Sequence, residues 1–352
     1  MQLLTIDWGF ILEKFLLVGM IISFSLFIAM YSTYAERKIA AFLQDRLGPN
    51  RAGPFGILQP LADGGKLFFK EEIIPLASSK FLFVLGPSLA MITATLTSAV
   101  IPWGASLHVF GRDVSLQVAD IDIGILYIFG VVSLGVYGIM IGGWASNNKF
   151  SLLAAIRGAS QMISYELAMG LALLAVLMLT GNLRMSAILQ NQMENENVWH
   201  FFLQPVGFVI FFICALAECN RTPFDLPEAE NELNFGYHLE YSSMKLGFYL
   251  FAEYVNMFIS GAVMATLFFG GYDILPFVDE TKWGLSPNLL TILGFVAMML
   301  KCFFFIFVFI WIRWTIPRFR YDQLMNLGWK KLIPLALINM VVTALVMLLL
   351  KK

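Results

Sequence analysis

Six carboxylates stand between Glu218 and Glu240, namely Glu218, Asp225, Glu228, Glu230, Glu232 and Glu240, against the single cation Arg221. Carboxylates packed this closely repel one another, and repulsion combined with burial raises some of their pKa values toward neutrality. Such a set can share protons and pass them along. The ordinary alternative is a solvated acidic loop. It fits poorly, because Phe224, Leu226, Leu233, Phe235 and Tyr237 are interleaved with the acids and both flanks are long apolar stretches. Asp225 and Glu228 have capping-box spacing with Pro227 between them, so local helix capping accounts for two of the acids at most.

Other charges interrupt apolar stretches. Glu36 closes the first such stretch and is followed by Arg37 and Lys38; Glu166 lies in Ser164-Tyr165-Glu166, Glu253 is followed by Tyr254, and Lys301 sits in the middle of a long apolar run. An ionisable group within a membrane span costs ~2.5–3.5 kcal/mol on insertion scales, so each invites a functional reading. The structural alternative for Arg37 and Lys38 is anchoring at the interface. For Lys301 it is an ion pair with a buried acid, with Glu253 as the named partner, since a buried pair also meets the solvation demand.

These groups need elements to hold them, and the composition says which. Hydrophobic residues make up 59% of the 352 residues and charged residues 13%, with a mean hydropathy of +0.76. A soluble domain carries roughly twice that charge. A span needs about 20 mostly apolar residues to cross ~30 Å of hydrocarbon. Eight segments qualify, at about 11–35, 80–102, 123–146, 160–181, 203–220, 244–270, 289–313 and 331–350. The reading is a single all-α, polytopic membrane domain. The first segment lacks the basic flank and cleavage site of a signal peptide. The net charge of −1 gives no field for nucleic acid. Cys214, Cys219 and Cys302 have no CxxC or Cys/His spacing, so zinc and cysteine-held iron–sulfur clusters lack support.

Sixteen basic residues fall in the connections after spans 1, 3, 5 and 7, against six on the opposite side. The positive-inside rule therefore predicts these connections in the cytoplasm and both termini outside. The 1–2 connection is rich in Gly and Pro, then reads as an amphipathic helix from about Leu61 to Glu72 that lies in the interface. On the other side His108–Asp122 alternates around Gly111-Arg112 and predicts a small hairpin. The polar segment Asn182–His200 reads as covering structure.

Specific strings go further. ERKIAAFLQDRLGPNRAGPFGILQPLADGGKLFFKE (Glu36–Glu71) and AECNRTPFDLPEAENELNFGYHLEYSSMKLGFYLFAEY (Ala217–Tyr254) closely resemble the family of quinone-site membrane subunits of NADH:quinone oxidoreductase, respiratory complex I. IRGASQMISYEL (Ile156–Leu167) and WIRWTIPRFRYDQLMNLGWK (Trp311–Lys330) match two further motifs of that family. The resemblance covers nearly the whole chain, in order. It departs at Ala229, where the family commonly has Gly, and segment 182–200 does not align.

The resemblance implies eight spans in a bacterial inner membrane. Quinone is the substrate; the flavin and iron–sulfur clusters belong to other subunits, and the chain is not catalytic alone. It implies as partners the hydrophilic quinone-site subunits, the small membrane subunits, the antiporter-like subunits and lipid. Carried over by position, Arg37, Arg46, Asp63, Phe224, Arg318 and Arg320 line the quinone channel or its mouth. Glu36, Glu166, Glu218, Asp225, Glu228, Glu230, Glu232, Glu240, Glu253 and Tyr254 form an acidic proton path, to which Lys301 is added as the charge within span 7. Lys66, Lys70 and Glu71 support the peripheral-arm interface. Two alternatives remain at this stage. One is the equivalent subunit of a membrane-bound hydrogenase or formate hydrogenlyase, against which the full 1–2 connection argues. The other is an ion-coupled transporter, which is expected to show repeat-related broken helices.

Overall fold

The computed structural model describes residues 8–109, 111–194, 198–278 and 283–350; the side chains of Trp8, Val109 and Glu230 also lie outside the described residues. Seven helices among these residues are long and apolar enough to cross a membrane. They are α1 (Trp8–Leu43), α3 (Lys80–Thr97), α4 (Gly124–Ala145), α5 (Lys149–Thr180), α10 (Ser243–Phe268), α11 (Pro287–Thr315) and the continuous stretch Tyr321–Leu350, composed of α12 (Tyr321–Leu327), a π-turn and α13 (Ile333–Leu350). The remaining apolar segment, expected at 203–220, is built in two pieces. Helix α8 (Pro205–Glu218) has 14 residues, or ~21 Å at 1.5 Å per residue, too short alone for ~30 Å of hydrocarbon. The short α7 (His200–Leu203) precedes it, and Gln204 breaks the pair at φ −132°, ψ 57° because Pro205 has no N–H to continue the ladder. Irregular backbone at membrane depth must be satisfied by protein. Here the Gln204 side chain donates to Thr343 Oγ1 at 2.7 Å and accepts from Asn339 Nδ2 at 3.0 Å, both on α13.

Two helices overrun the predicted spans. Helix α1 continues to Leu43, and its 36 residues measure ~54 Å. Helix α5 begins at Lys149 rather than at 160, with Asn148 as its N-cap accepting from Phe150 N at 2.9 Å. Both are longer than ~30 Å of hydrocarbon requires, and both carry charged residues on the turns that lie outside the predicted spans. Helix α10 is the most enclosed span, with 72% of its apolar window buried, and it packs on α1, α3 and α11. Close approach of α3 and α4 rests on glycine. A Cβ on Gly86 of α3 would stand 2.9 Å from Gly142 Cα of α4, and one on Gly138 2.9 Å from Ala90 N, while Tyr249 reaches in from α10 to donate to Gly138 O at 3.1 Å.

Outside the spans, α2 (Gln59–Phe69) is the expected amphipathic helix, shifted two to three residues toward the N-terminus. The hairpin pairs β1 (Ser106–Val109) with β2 (Arg112–Ser115), earlier than the expected His108–Asp122. It ends at Ser115 because the Gln117 side chain turns inward to donate to Val100 O at 2.8 Å. The expected cover over Asn182–His200 contains α6 (Met185–Glu194), which buries Met185, Ile188, Leu189 and Gln192 rather than lying on the surface. The expected capping box at Asp225 and Glu228 does not form. That stretch is a turn, and the single-turn α9 (Glu230–Leu233) starts after it with Ala229 at its head.

Ala229 sits at φ 32°, ψ 54°, in the left-handed region, while Asn234, Phe235 and Gly236 nearby also have positive φ. A residue with a Cβ loses roughly 1–2 kcal/mol there, part of which glycine returns as unfolded-state entropy. Ala229→Gly is therefore expected to tighten the loop by roughly 0.5–1 kcal/mol and to slow amide hydrogen exchange across residues 225–240 about threefold. Unchanged or faster exchange would show that the backbone at Ala229 is unstrained.

Candidate functional site

The face of α1 that looks inward presents Glu36, which is 6% exposed. Its carboxylate accepts from Tyr254 Oη at 2.8 Å, faces Arg313 Nη1 at 2.8 Å and lies 3.7 Å from Arg221 Nη1. Three elements meet here, since Tyr254 is on α10, Arg313 on the last turn of α11 and Arg221 in the loop after α8. Arg221 stacks over the Tyr254 ring at 4.2 Å and turns its Nη2 toward Glu253 Oε2 at 3.5 Å. That separation is too long for a strong hydrogen bond, so the attraction is mainly electrostatic. Glu253 also accepts from Tyr237 Oη at 3.3 Å and has Glu228 within hydrogen-bonding reach and Asp225 within electrostatic reach.

Arg221 is thus the cation around which the acids gather. Burial alone works against its charge, but Tyr254, Glu36, Glu253 and Glu228 outweigh that and hold its pKa well above the ordinary value. Tyr237 keeps its proton because burial and the neighbouring Glu253 raise its pKa. His238, edge-on to the Phe235 and Tyr237 rings, is pushed down to about 4 by burial. It is therefore neutral at physiological pH and adds no second cation to the loop.

A cavity of about 70 Å³ connects this cluster to a second one. Glu218 and Glu253 both line it, with Asn256, Ser260, Thr93 and Tyr249 among the remaining walls. Its walls are mostly apolar, and a space of this size has room for a few waters only beside the polar groups of Glu218, Glu253, Asn256 and Ser260. Glu218 lies within electrostatic reach of Glu166, and Glu166 accepts a hydrogen bond from Ser133 on α4. The carboxylates therefore run in sequence: Glu166, Glu218, the cavity, Glu253 with Glu228 and Asp225, then Arg221 and Glu36. Side chains separated by one or two waters suffice for proton transfer.

Several residues expected in this path lie elsewhere. Lys301 is the clearest correction. Its ammonium donates to Phe269 O at 2.7 Å, to Gly271 O at 2.9 Å and to Asp273 O, and it sits 4.3 Å from the Trp199 ring. Phe269 is sixteen residues along the α10 direction from Glu253, roughly 24 Å of helix rise, so the expected Lys301–Glu253 pair is out of reach. Glu232 pairs with Arg157 at 2.8 Å and Glu240 accepts from Asn148 Nδ2 at 2.8 Å. These two acids fasten the loop to the start of α5 instead of joining the inner row. Glu230's side chain lies outside the described residues.

The residues expected around quinone divide similarly. Arg37, next to Glu36, points away from the acids and pairs with Asp63 of α2 at 2.7 Å, while Gln59 Nε2 donates to Asp63 at 3.0 Å. Arg46 is exposed and touches Gln44. Phe224 is 3% exposed, packed on Tyr165 and Phe319, with its carbonyl accepting from Gln161 Nε2. Its ring packs beneath the loop. Arg318 is half-buried, with Nε and Nη2 turned inward and lacking an acceptor among the described residues, whereas Arg320 is exposed beside Asp322. Lys66, Lys70 and Glu71 are exposed; Ser242 Oγ donates to Glu71 O, and Lys245 pairs with Glu72, tying this connection to the head of α10. Arg313, Tyr237 and Ser133 belong to the site and were missed. Arg313 reads in sequence as one more basic residue at a span end, and Tyr237 as an aromatic of the loop.

Fold and site together define a multi-pass α-helical membrane protein built around a buried, cation-braced row of carboxylates. Residues 16–344 match the family described as NADH dehydrogenase. Relatives include an H subunit of NADH-quinone oxidoreductase from Cytophaga hutchinsonii, 64% identical over 95% of this chain and 96% of that one. A second is the H subunit of the Flavobacterium psychrophilum NADH-quinone oxidoreductase, 61% identical over 98% and 100%. A third is NADH-quinone oxidoreductase subunit 8 of Rhodothermus marinus, 49% identical over 94% and 96%. The chain belongs to the NADH dehydrogenase family.

Proposed function

We propose that this chain is the quinone-site membrane subunit of a proton-pumping NADH–quinone oxidoreductase, framing quinone access and coupling quinone reduction to proton translocation through its buried carboxylates. The observation that carries the reading is the junction at Glu36 and Arg37. Consecutive helix residues point about 100° apart. Glu36 accordingly enters the carboxylate row while Arg37 holds Asp63 of the connecting loop. A change of charge at the loop is felt one residue away by the first member of the proton path.

In this reading the loop face is cytoplasmic, both termini are extracytoplasmic and the membrane is the bacterial inner membrane. Arg37, Arg46 and Asp63 frame the mouth, and the inward Nε and Nη2 of Arg318, with Arg320 nearby, offer donors to quinone carbonyl oxygens. Lys66, Lys70 and Glu71 face the peripheral arm. The flavin and iron–sulfur clusters are held by hydrophilic partner subunits there, and antiporter-like and small membrane subunits receive the proton signal. Asp63→Asn removes the charge that fixes Arg37. In the assembled complex it is expected to raise the apparent KM for quinone about three- to tenfold and to weaken quinone-site inhibitors. An assembled complex with both quantities unchanged would show that this loop does not frame the quinone path.

A further inference from the structure

We propose that Lys301, Trp199 and the phenylalanines beneath them form a proton-tight seal closing the hairpin-side end of the carboxylate cavity. The inference rests on reading that cavity as proton-bearing. Its walls follow α10 from Tyr249 past Glu253 to Val263 and follow α3 to Thr97, so it runs from the acids toward the hairpin face. A space with room for water, aimed across the membrane next to a proton path, requires a barrier at its far end. Without one, the path would short-circuit the gradient.

The structure has such a barrier in continuous contact. Phe211, a cavity wall, packs on Phe268 at 5.6 Å between ring centroids, and Phe268 packs on Phe208 at 5.4 Å. Phe208 meets Phe269 at 5.3 Å, and Phe269 meets Trp199 at 5.8 Å and Phe305 at 5.4 Å. Above this plug sits the Lys301 ammonium, held by three carbonyl oxygens and the Trp199 ring, while Trp199 Nε1 is fixed by Asp273 Oδ2 at 2.6 Å. Each part has a separate effect. Packed rings leave no room for a water chain. The Lys301 ammonium balances the buried Asp273 carboxylate of the same cluster, so removing it leaves an uncompensated anion that draws water and protons into the plug. A lysine that merely satisfied the C-terminal carbonyls of α10 would stabilise the fold without affecting proton permeability, so the two roles are separable.

The test uses the assembled complex in sealed vesicles, with turnover blocked by a quinone-site inhibitor, a pH step imposed across the membrane and an enclosed pH dye. Lys301→Gln removes the charge but keeps hydrogen-bonding capacity; Phe208→Leu loosens the plug and leaves Lys301 in place; Lys301→Arg retains a cation. At matched complex content Lys301→Gln is expected to raise passive proton flux about tenfold over wild type, the scale of one charge acting across ~10 Å at intermediate dielectric, Phe208→Leu to raise it severalfold by opening room for water, and the arginine variant to stay tight. Adding Glu253→Gln then separates the two readings. A leak that disappears supports both, while a leak that persists keeps the seal and counts against the carboxylate relay. Wild-type tightness in both Lys301→Gln and Phe208→Leu overturns the seal.

Discussion

Glu228→Gln and Glu166→Gln are each expected to cut quinone-linked proton pumping to below a tenth of wild type while the complex still assembles. The two positions sit on opposite sides of the cavity. Glu228 is within hydrogen-bonding reach of Glu253, and Glu166 neighbours Glu218 on the other side of the cavity. Glutamine preserves shape and hydrogen bonding and deletes only the titratable proton, so a merely structural carboxylate tolerates it. A relay does not, because a proton must be accepted and released at every station. Among the described residues, the cavity walls offer only Glu218 and Glu253 as carboxylates, and Glu166 and Glu228 are the carboxylates beside them outside the cavity, so each variant removes the next station on its side. Electron transfer falls with pumping if the two are tightly coupled. The measurement is proton uptake per quinone reduced in reconstituted vesicles at matched complex content. Wild-type stoichiometry at undiminished rate in both variants would show that these carboxylates only brace the fold. Glu232→Gln provides the contrast. Glu232 is bound to Arg157 on the outside of the loop, so its exchange should leave stoichiometry unchanged.

How much of this was legible in the sequence follows from the range of the forces involved. Apolar length is a local property, and hydropathy marked every stretch that folds as one of the seven long helices. It also marked 203–220, where α7 and α8 together supply the apolar length although the backbone breaks at Gln204. The amphipathic α2 and the hairpin were visible within a few residues. Helix extensions beyond the predicted spans were not, since Glu36 to Leu43 and Lys149 to Ala159 are polar enough to read as connection. The acids at membrane depth were conspicuous because their solvation cost is independent of partners. Their partners were not, because pairing is set by tertiary geometry. Sequence offered Glu253 as the counterion of Lys301, yet Arg221 holds Glu253 and backbone carbonyls hold Lys301. Arg313, which binds Glu36, carries no spacing signal at all. Within the acidic run, composition could not tell Asp225 and Glu228, facing inward, from Glu232 and Glu240, which latch the loop to α5. Nor could propensity foresee Ala229 in a left-handed conformation, where its side chain is a disadvantage.

Arg221→Met is expected to reduce the assembled complex to a small fraction of wild type. Arg221 is 5% exposed and stands between Glu36 and Glu253, themselves 6% and 5% exposed, with Tyr254 against its face. Removing one partner of a buried ion pair leaves an uncompensated charge and costs about 3–5 kcal/mol. That is a large part of the stability of an ordinary domain. Glu36 retains Arg313, so the deficit falls on Glu253, whose remaining neighbours are Tyr237 and the acids Glu228 and Asp225. Neutralising that carboxylate should therefore repair the defect. The double variant Arg221→Met with Glu253→Gln is expected to recover most of the assembled complex, while pumping stays low because a station of the relay is missing. Arg221→Lys should fall between, since a lysine keeps the charge but has no planar face to stack on Tyr254 and only one nitrogen to share between two carboxylates. Assembly is read as complex per membrane protein on a native gel, and pumping as proton uptake per quinone reduced. Normal assembly of Arg221→Met would show that the acids carry their protons even at rest and need no cation. Failure of the double variant to recover would place the role of Arg221 in packing against Tyr254 rather than in charge balance.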